Sequence, residues 1–301
     1  MRVLITGGAG YIGVTLVPML MAKGHEVTVL DTLDFGIQPL LPFFRQPTFS
    51  MVKASVLDRG ALEQAAADCQ AVVHLAAVSG HPACERDPER AQAVNVGGAE
   101  VLASIIGKSR PLVLASSGSC YGAVKGELCT EDTRPRPLSL YGRTKAASED
   151  IVRERCSAVI YRFATGYGVS ARMRTELLIN HFVFVALKES RLTLYEPLAR
   201  RTFIHVEDIA RAIIFALENP ERMVGNTYNV GDESQNLTKQ QVVELIQRRL
   251  PALRVESDPE TVDPDRRDYA VSYERIRSLG FKTRISVESG IDELIRAFTW
   301  W

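Results

Sequence analysis

The chain has 301 residues, of which 46% are hydrophobic and 24% are charged, and its 36 basic residues are balanced by 36 acidic ones. This length allows one large α/β domain with a smaller lobe, and the zero net charge gives no general attraction for nucleic acid or an anionic membrane. No apolar run approaches the roughly 20 residues of a membrane span, the first residues resemble a strand and not a signal peptide, and five scattered cysteines without metal-ligand spacing indicate a reduced cytoplasm.

Short β-branched runs alternate with amphipathic stretches of helical length through the first half of the chain. This alternation predicts right-handed βαβ crossovers and a Rossmann-type, doubly wound parallel sheet. The predicted strands cover residues 3–6, 26–30, 71–75, 112–115 and 158–163, and the predicted helices cover residues 11–23, 62–67, 91–107 and 139–154.

After about Gly168 the pattern loosens, and proline, glycine and arginine become frequent at 197–201 and 258–268, as in loops. Two further helices are predicted, over 208–218 and 239–250. We therefore expect a Rossmann domain over residues 1–168, to which 202–218 returns, and a smaller C-terminal α/β lobe over residues 169–301.

Three glycines, Gly7, Gly10 and Gly13, stand directly between the first strand and the first helix. The first permits a tight turn, the second lets the backbone approach a pyrophosphate, and the third allows close packing of helix on sheet. Asp31 ends the second strand about 20 residues later, where a carboxylate accepts hydrogen bonds from ribose hydroxyls and repels a 2′-phosphate. The set predicts a dinucleotide site for NAD and not NADP; the alternatives are an empty glycine turn and a loop-capping aspartate.

Tyr141 and Lys145 are four residues apart on a predicted helix, so their side chains share one face. A free tyrosine has a pKa of about 10, and a neighbouring cation is expected to lower it by roughly 1–3 pH units, as is the positive charge of a nicotinamide. Ser116 and Ser117 end the strand at 112–115 and supply a hydroxyl at the ligand edge of the sheet. These residues predict acid/base chemistry on a carbinol; the alternative is an ordinary amphipathic helix surface.

These motifs resemble the extended short-chain dehydrogenase/reductase family, in its nucleotide-sugar epimerase and dehydratase branch. The similarity continues nearly throughout the chain, at residues 6–13, 74–77, 95–96, 116–122, 201–206 and 228–231. It implies Ser117 as the catalytic hydroxyl, Tyr141 as the acid/base and Lys145 as its activator and ribose ligand. It also implies a nucleoside-diphosphate sugar as substrate, bound by the second lobe, and a homodimer formed through the helices at 91–107 and 139–154.

The resemblance implies further contacts, residue by residue. For NAD these are Gly7, Gly10, Tyr11, Ile12, Gly13, Asp31, Val56, Leu57, Asp58 as the adenine acceptor, Leu75, Ala76, Ala77, Asn95, Tyr141, Lys145 and Phe163. For the substrate they are Ser117, Ser119, Thr165, Asn180, Arg201 and Arg267. Two guanidiniums flanking a diphosphate can each bind two oxygens at once, although each arginine could instead be a surface charge.

Two departures from the family pattern bear on the reaction. Dehydratases of this branch usually carry Asp-Glu after the catalytic hydroxyl, as the acid and base of water loss, and this chain has Gly118 and Ser119 there. Thr165 stands where relatives often carry asparagine near the hexose. We therefore predict epimerisation, at C4, through a keto sugar with NAD retained. The alternatives are a 4-keto-sugar reductase or a dehydratase, and, outside catalysis, an NAD-binding sensor. Cys120 either joins the chemistry or is a small buried residue.

Overall fold

The computed structural model describes residues 1–122, 124, 128–261 and 269–301. In chain order, the strands are β1 (Arg2–Thr6), β2 (Glu26–Asp31), β3 (Phe49–Lys53), β4 (Ala71–His74), β5 (Pro111–Ser117), β6 (Leu128–Cys129), β7 (Ser157–Phe163), β8 (Thr165–Tyr167), β9 (Arg191–Leu194), β10 (Arg200–His205), β11 (Thr227–Val230), β12 (Asn236–Thr238), β13 (Arg254–Ser257) and β14 (Ala270–Val271).

The helices complete the fold of the described residues. They are α1 (Gly13–Ala22), α2 (Arg59–Ala66), α3 (His81–Arg86), α4 (Pro88–Gln92), α5 (Gly98–Ile106), α6 (Leu140–Arg155), α7 (Leu178–Glu189), α8 (Val206–Glu218), α9 (Pro220–Met223), α10 (Lys239–Gln247), α11 (Glu274–Ser278) and α12 (Val287–Thr299). None of these described helices is long and apolar enough to cross a membrane.

The described part of the chain builds a central sheet of seven parallel strands in the order β3-β2-β1-β4-β5-β7-β11. Its inner strands are mostly apolar on both faces because helices cover both. Helices α1 and α8 pack on one face, where Val17 and Ile213 are fully buried, and α2, α5 and α6 pack on the other, around Leu102 and Val152. The predicted Rossmann-type α/β fold is confirmed.

A second lobe has its own hydrophobic core. Helices α7, α10 and α12 enclose it, with Phe203 of β10 and Ile291 of α12 completely buried there. A small sheet of β8, β10 and β12 borders this core. The chain passes between the two lobes more than once. After β10, helix α8 returns to cover the central sheet, and β11 then joins that sheet beside β7. The predicted boundary near Gly168 remains a prediction.

Two local features illustrate how the structure differs from the sequence prediction. The helix expected over 91–107 is interrupted by a π-helical turn, Ala93–Gly97, which carries Asn95. Such turns widen one turn of a helix and often occur at functional sites. Strand β3 was not predicted; it is a half-exposed edge strand whose sequence has only a weak apolar pattern.

Candidate active site

The glycine-rich turn leaves no room for side chains where it meets the next strand of the sheet. Gly7 has a φ of +75°, and a Cβ there would lie 2.6 Å from the backbone nitrogen of Ala76, while a Cβ on Gly13 would lie 2.4 Å from the carbonyl oxygen of Gly8. Tyr11 and Ile12 complete the turn, and no side chain of the described residues caps the N-terminus of α1. The turn therefore has the close backbone and the N–H donors that a pyrophosphate requires.

Asp31 is held rigidly at the end of β2. Its carboxylate accepts hydrogen bonds from the backbone N–H of Ala9, at 3.0 Å, and from that of Leu33, at 2.8 Å. The first contact fixes the carboxylate beside the glycine-rich turn. Each oxygen keeps lone pairs for the hydroxyls of a ribose, so the position fits the NAD contact predicted for Asp31.

The segment after β3 runs beside the π-helical turn. Val56 is buried, and its Cγ2 would lie 2.6 Å from a Cβ on Gly98, whereas Leu57 is 43% exposed. Asp58 accepts a 3.1 Å hydrogen bond from the backbone N–H of Ala61 and so caps α2. Its carboxylate thus has a structural partner, and its contact with adenine stays a prediction.

Leu75, Ala76 and Ala77 continue from the end of β4 past the glycine-rich turn, and the next residue is held by Asn95. The Asn95 Oδ1 accepts from the Val78 N–H at 2.7 Å, and its Nδ2 donates to the Val78 carbonyl oxygen at 3.1 Å and to Thr144 Oγ1 at 3.0 Å. Asn95 is buried, and these bonds use both N–H groups of its amide and one lone pair of its oxygen. In the structure it therefore fixes the end of β4 to α6.

Ser117 ends β5 opposite Phe163 of β7, at the edge of the sheet that the sequence predicted. Its hydroxyl donates to Ser119 Oγ at 3.1 Å and accepts from the Ser119 N–H at 3.2 Å. Ser116, by contrast, donates its hydroxyl to the buried carboxylate of Glu149. Of the two serines, Ser117 is therefore the one whose hydroxyl can serve a substrate.

Gly118, which lies between Ser117 and Ser119 in the chain, is closely packed. A Cβ on Gly118 would lie 2.9 Å from the hydroxyl oxygen of Tyr269 and 3.6 Å from the carbonyl oxygen of Phe163. Tyr269 itself is 5% exposed. The space beside the β-carbon position of Gly118 is thus already occupied by the phenol of Tyr269, which packs into the core of the central sheet from the C-terminal part of the chain.

Tyr141 and Lys145 lie in the first turns of α6, as predicted. Ser139 caps the helix by accepting the Gly142 N–H at 3.2 Å. Lys145 is 4% exposed, and burial lowers its pKa to about 8. Nearby, burial and the charge of Lys145 lower the pKa of His74 to about 3, so that imidazole stays neutral beside the Thr6 hydroxyl, 2.6 Å away.

The direction of the Tyr141 pKa corrects one prediction. Burial raises it above its ordinary value, while a hydrogen bond from Ser79 and the charge of Arg174 act in the opposite direction. The lowering expected from the sequence is therefore wrong for the protein without its cofactor, because desolvation of a phenolate outweighs the neighbouring charge. The contribution expected from the nicotinamide is a separate effect.

Helix α6 is fixed to the sheet by a buried ion pair. Glu149, 1% exposed, accepts hydrogen bonds from Arg162 of β7, at 2.7 Å from Nη2 and at 3.0 Å from Nε. Cys120 lies in contact with the same carboxylate, 3.5 Å from Oε1, and burial raises the pKa of its thiol to about 12. A thiol with that pKa is protonated and unreactive near neutrality, which favours the structural interpretation of Cys120.

The second lobe contributes three of the predicted substrate residues. Thr165 of β8 pairs with Phe203 of β10, the strand that also carries the buried Arg201. Asn180 of α7 is fully buried, and its amide accepts from the Gly168 N–H and donates to the Arg174 carbonyl oxygen, both at 2.9 Å. It holds the segment that enters the lobe. Arg267 lies outside the described residues.

Two residues near Tyr141 were not found from the sequence. Ser79 follows the β4 end by five positions and could have been noticed by following that strand edge further. Arg174 precedes α7 and shows no distinguishing spacing. Its guanidinium donates to Ser79 Oγ at 3.2 Å, a contact between residues 95 positions apart that only the fold creates.

Comparison with known proteins agrees with this geometry. The model of the NAD dependent epimerase/dehydratase family matches residues 3–231. A dTDP-glucose 4,6-dehydratase from Actinoplanes sp. is 27% identical over 100% of both chains, and a dTDP-L-rhamnose 4-epimerase from Burkholderia thailandensis is 27% identical over 97% of this chain and 93% of the relative.

One similar protein has a solved structure that contains NAD. The UDP-glucose 4-epimerase of Thermus thermophilus, in complex with NAD, is 27% identical, covers 99% of both chains and superposes with a TM-score of 0.84. An epimerase and a dehydratase match this chain equally well, so the comparisons do not distinguish between the two reactions.

Proposed function

The chain belongs to the NAD dependent epimerase/dehydratase family, and from this premise we propose that it is a nucleotide-sugar epimerase acting at C4 through a keto sugar. The predicted family, the extended short-chain dehydrogenases/reductases of nucleotide sugars, is confirmed, and so is NAD as the cofactor. The homodimer and the cytoplasmic location remain predictions.

One observation carries the choice of epimerisation. Water loss needs an acid and a base close to the substrate carbon, and here Gly118 and Ser119 follow the catalytic hydroxyl. The Tyr269 hydroxyl lies 2.9 Å from the β-carbon position of Gly118, so a carboxylate could not be accommodated at this position without displacing it. Removal and return of a hydride at one carbon require no such carboxylates.

Each catalytic residue has a definite task in this proposal. Bound NAD would supply a hydride acceptor that later returns the hydride to the opposite face of the keto sugar, once the sugar has turned over in the site. Ser117 orients the substrate oxygen, Tyr141 removes the proton of the carbinol and restores it to the keto sugar, and Lys145 contributes positive charge and holds the ribose. Arg201 is proposed to bind the diphosphate together with Arg267, because a guanidinium can hold two phosphate oxygens. Net redox change is zero, so the chain has no need to release its cofactor.

The test is a screen of the purified holoenzyme against UDP-, dTDP-, CDP- and GDP-sugars, followed by proton NMR. We expect the signals of a C4 epimer with one of them, without change in the reduced-nicotinamide absorbance. Stoichiometric consumption of NADH with a 4-keto sugar would instead identify a reductase, and a 4-keto-6-deoxy product a dehydratase. Turnover of none of these sugars would contradict the proposal.

A further inference from the structure

Arg174 is fixed at the cleft through its whole side chain. Its Nη1 donates to Ser79 Oγ at 3.2 Å, its Nη2 donates to the Ser79 carbonyl oxygen at 3.3 Å, and its Nε donates to Glu176 at 2.7 Å. The side chain is only 18% exposed. A planar guanidinium that uses three N–H groups in this way has little freedom to rotate.

The backbone of Arg174 is fixed from the opposite side. Its carbonyl oxygen accepts the 2.9 Å hydrogen bond from Asn180, whose amide also accepts the Gly168 N–H. Since Asn180 is completely buried, the segment between β8 and α7 is attached to the core of the second lobe. Arg174 therefore connects that lobe to the end of β4, where Ser79 lies.

Ser79 in turn faces the catalytic tyrosine, to which its side chain gives a hydrogen bond. The groups from other elements that act on the Tyr141 hydroxyl are Arg174 and the thiols of Cys84 and Cys120. Burial raises the pKa of these thiols to about 11 and about 12, so both are neutral near pH 7. Arg174 is the charged member of this set.

We propose that Arg174 is a positioning residue for the acid/base tyrosine: it holds the Ser79 hydroxyl against Tyr141 and places a permanent positive charge behind that hydrogen bond. The inference rests on the proposed function only in taking Tyr141 as the acid/base.

The charge of Arg174 complements that of Lys145. Burial lowers the pKa of Lys145 to about 8, so its charge is progressively lost in mildly alkaline solution. A guanidinium stays charged throughout this range. Glu176, which is 61% exposed, offsets part of the Arg174 charge, and its removal is expected to act in the opposite direction to the removal of Arg174.

The experiment is a titration of Tyr141 that needs no substrate. The NAD-loaded protein is labelled with carbon-13 at Cζ of its nine tyrosines, and Tyr141→Phe assigns the resonance. Arg174→Met and Ser79→Ala should each raise the pKa of Tyr141, the first by roughly half to one pH unit, and Arg174→Lys, which keeps the charge but not the planar group that holds Ser79, should raise it by less than Arg174→Met does. Glu176→Gln should shift it slightly downward.

Arg172→Met is the matched control, because it removes the same charge two residues away. The Arg172 guanidinium lies 3.7 Å from the ring centre of Phe35 and not on Ser79, so its loss should leave the titration of Tyr141 nearly unchanged. An unchanged titration in Arg174→Met, with bound NAD intact, would overturn the proposal. So would equal shifts in Arg174→Met and Arg174→Lys, since the charge would then be irrelevant. Because no sugar is present, failure here is distinct from failure of the substrate screen.

Discussion

The hydroxyl of Tyr11 donates a 2.7 Å hydrogen bond to the carbonyl oxygen of Gly168. A second bond lies beside it, from the Ser170 hydroxyl to the Tyr11 carbonyl oxygen at 2.8 Å, and all these groups are buried. The glycine-rich turn is thereby attached to the segment that leads into the second lobe. The turn and this segment are held in a fixed relation by residues 157 positions apart.

Tyr11→Phe removes that link without changing the ring. It leaves a buried carbonyl oxygen without its donor, so the free energy of unfolding should fall by about 1–3 kcal/mol, and bound NAD should be retained less well. Urea unfolding and the NAD content of the purified protein measure the two effects. Tyr228→Phe is the control, because its hydroxyl makes a longer bond, 3.4 Å, to the Arg222 carbonyl oxygen. Equal losses of stability in both variants would contradict the special role of Tyr11.

Tyr141→Phe tests the acid/base assignment directly. Once a substrate is identified, turnover should fall by about 10²- to 10⁴-fold, because the carbinol proton loses its acceptor, while NAD remains bound. NMR of the reaction measures turnover, and the cofactor absorbance of the same sample measures how much NAD is retained. Tyr195→Phe, in the loop after β9, should keep full activity. An active Tyr141→Phe enzyme would refute the assignment.

The glycine-rich turn and the pair of residues on α6 could be predicted because their signals are local. Gly7 and Gly13 lie within one turn, and Tyr141 and Lys145 lie within one helical turn, so spacing alone places them together. The predicted bounds of these elements lie within one or two residues of the observed ones. Strand β1, for example, was predicted over residues 3–6 and is observed over Arg2–Thr6.

Contacts between distant segments could not be predicted in this way. Ser79 and Arg174, or Gly118 and Tyr269, meet only through tertiary packing, which the spacing of residues along the chain does not predict. Asn180 shows the related difficulty. The resemblance suggested a substrate contact, whereas the structure shows a fully buried amide that bonds to backbone, a distinction that depends on burial and not on sequence.

Lys145→Met should stabilise the cofactor-free protein in a pH-dependent way. Burial lowers the Lys145 pKa from 10.5 to about 8, so between these values the unfolded chain binds more protons and stability rises with pH. Below about pH 8 the charged lysine therefore costs the fold about 3 kcal/mol, which the substitution should recover at neutral pH and not above about pH 10.5.

Urea unfolding of both proteins near neutrality and at alkaline pH measures this difference. Lys53→Met, which removes an exposed lysine of β3, should change stability by less than about 0.5 kcal/mol at either pH. A Lys145→Met protein that is less stable than its parent at neutral pH would show that the lysine is not a buried, costly charge.

Glu149→Gln should be the most destabilising of these substitutions. It leaves the Arg162 guanidinium, 3% exposed, without its charged partner between α6 and β7, and breaking a buried pair in this way costs about 3–5 kcal/mol. Arg153 also contacts Glu149, at 3.3 Å, but is 45% exposed, so Arg153→Ala should cost less than about 1 kcal/mol. Replacing the pair together, as Glu149→Leu with Arg162→Met, removes both charges and should restore much of the loss. Chemical unfolding of the three variants is decisive: if Glu149→Gln were no worse than Arg153→Ala, the buried pair would not be what fixes α6, and with it Tyr141, against the sheet.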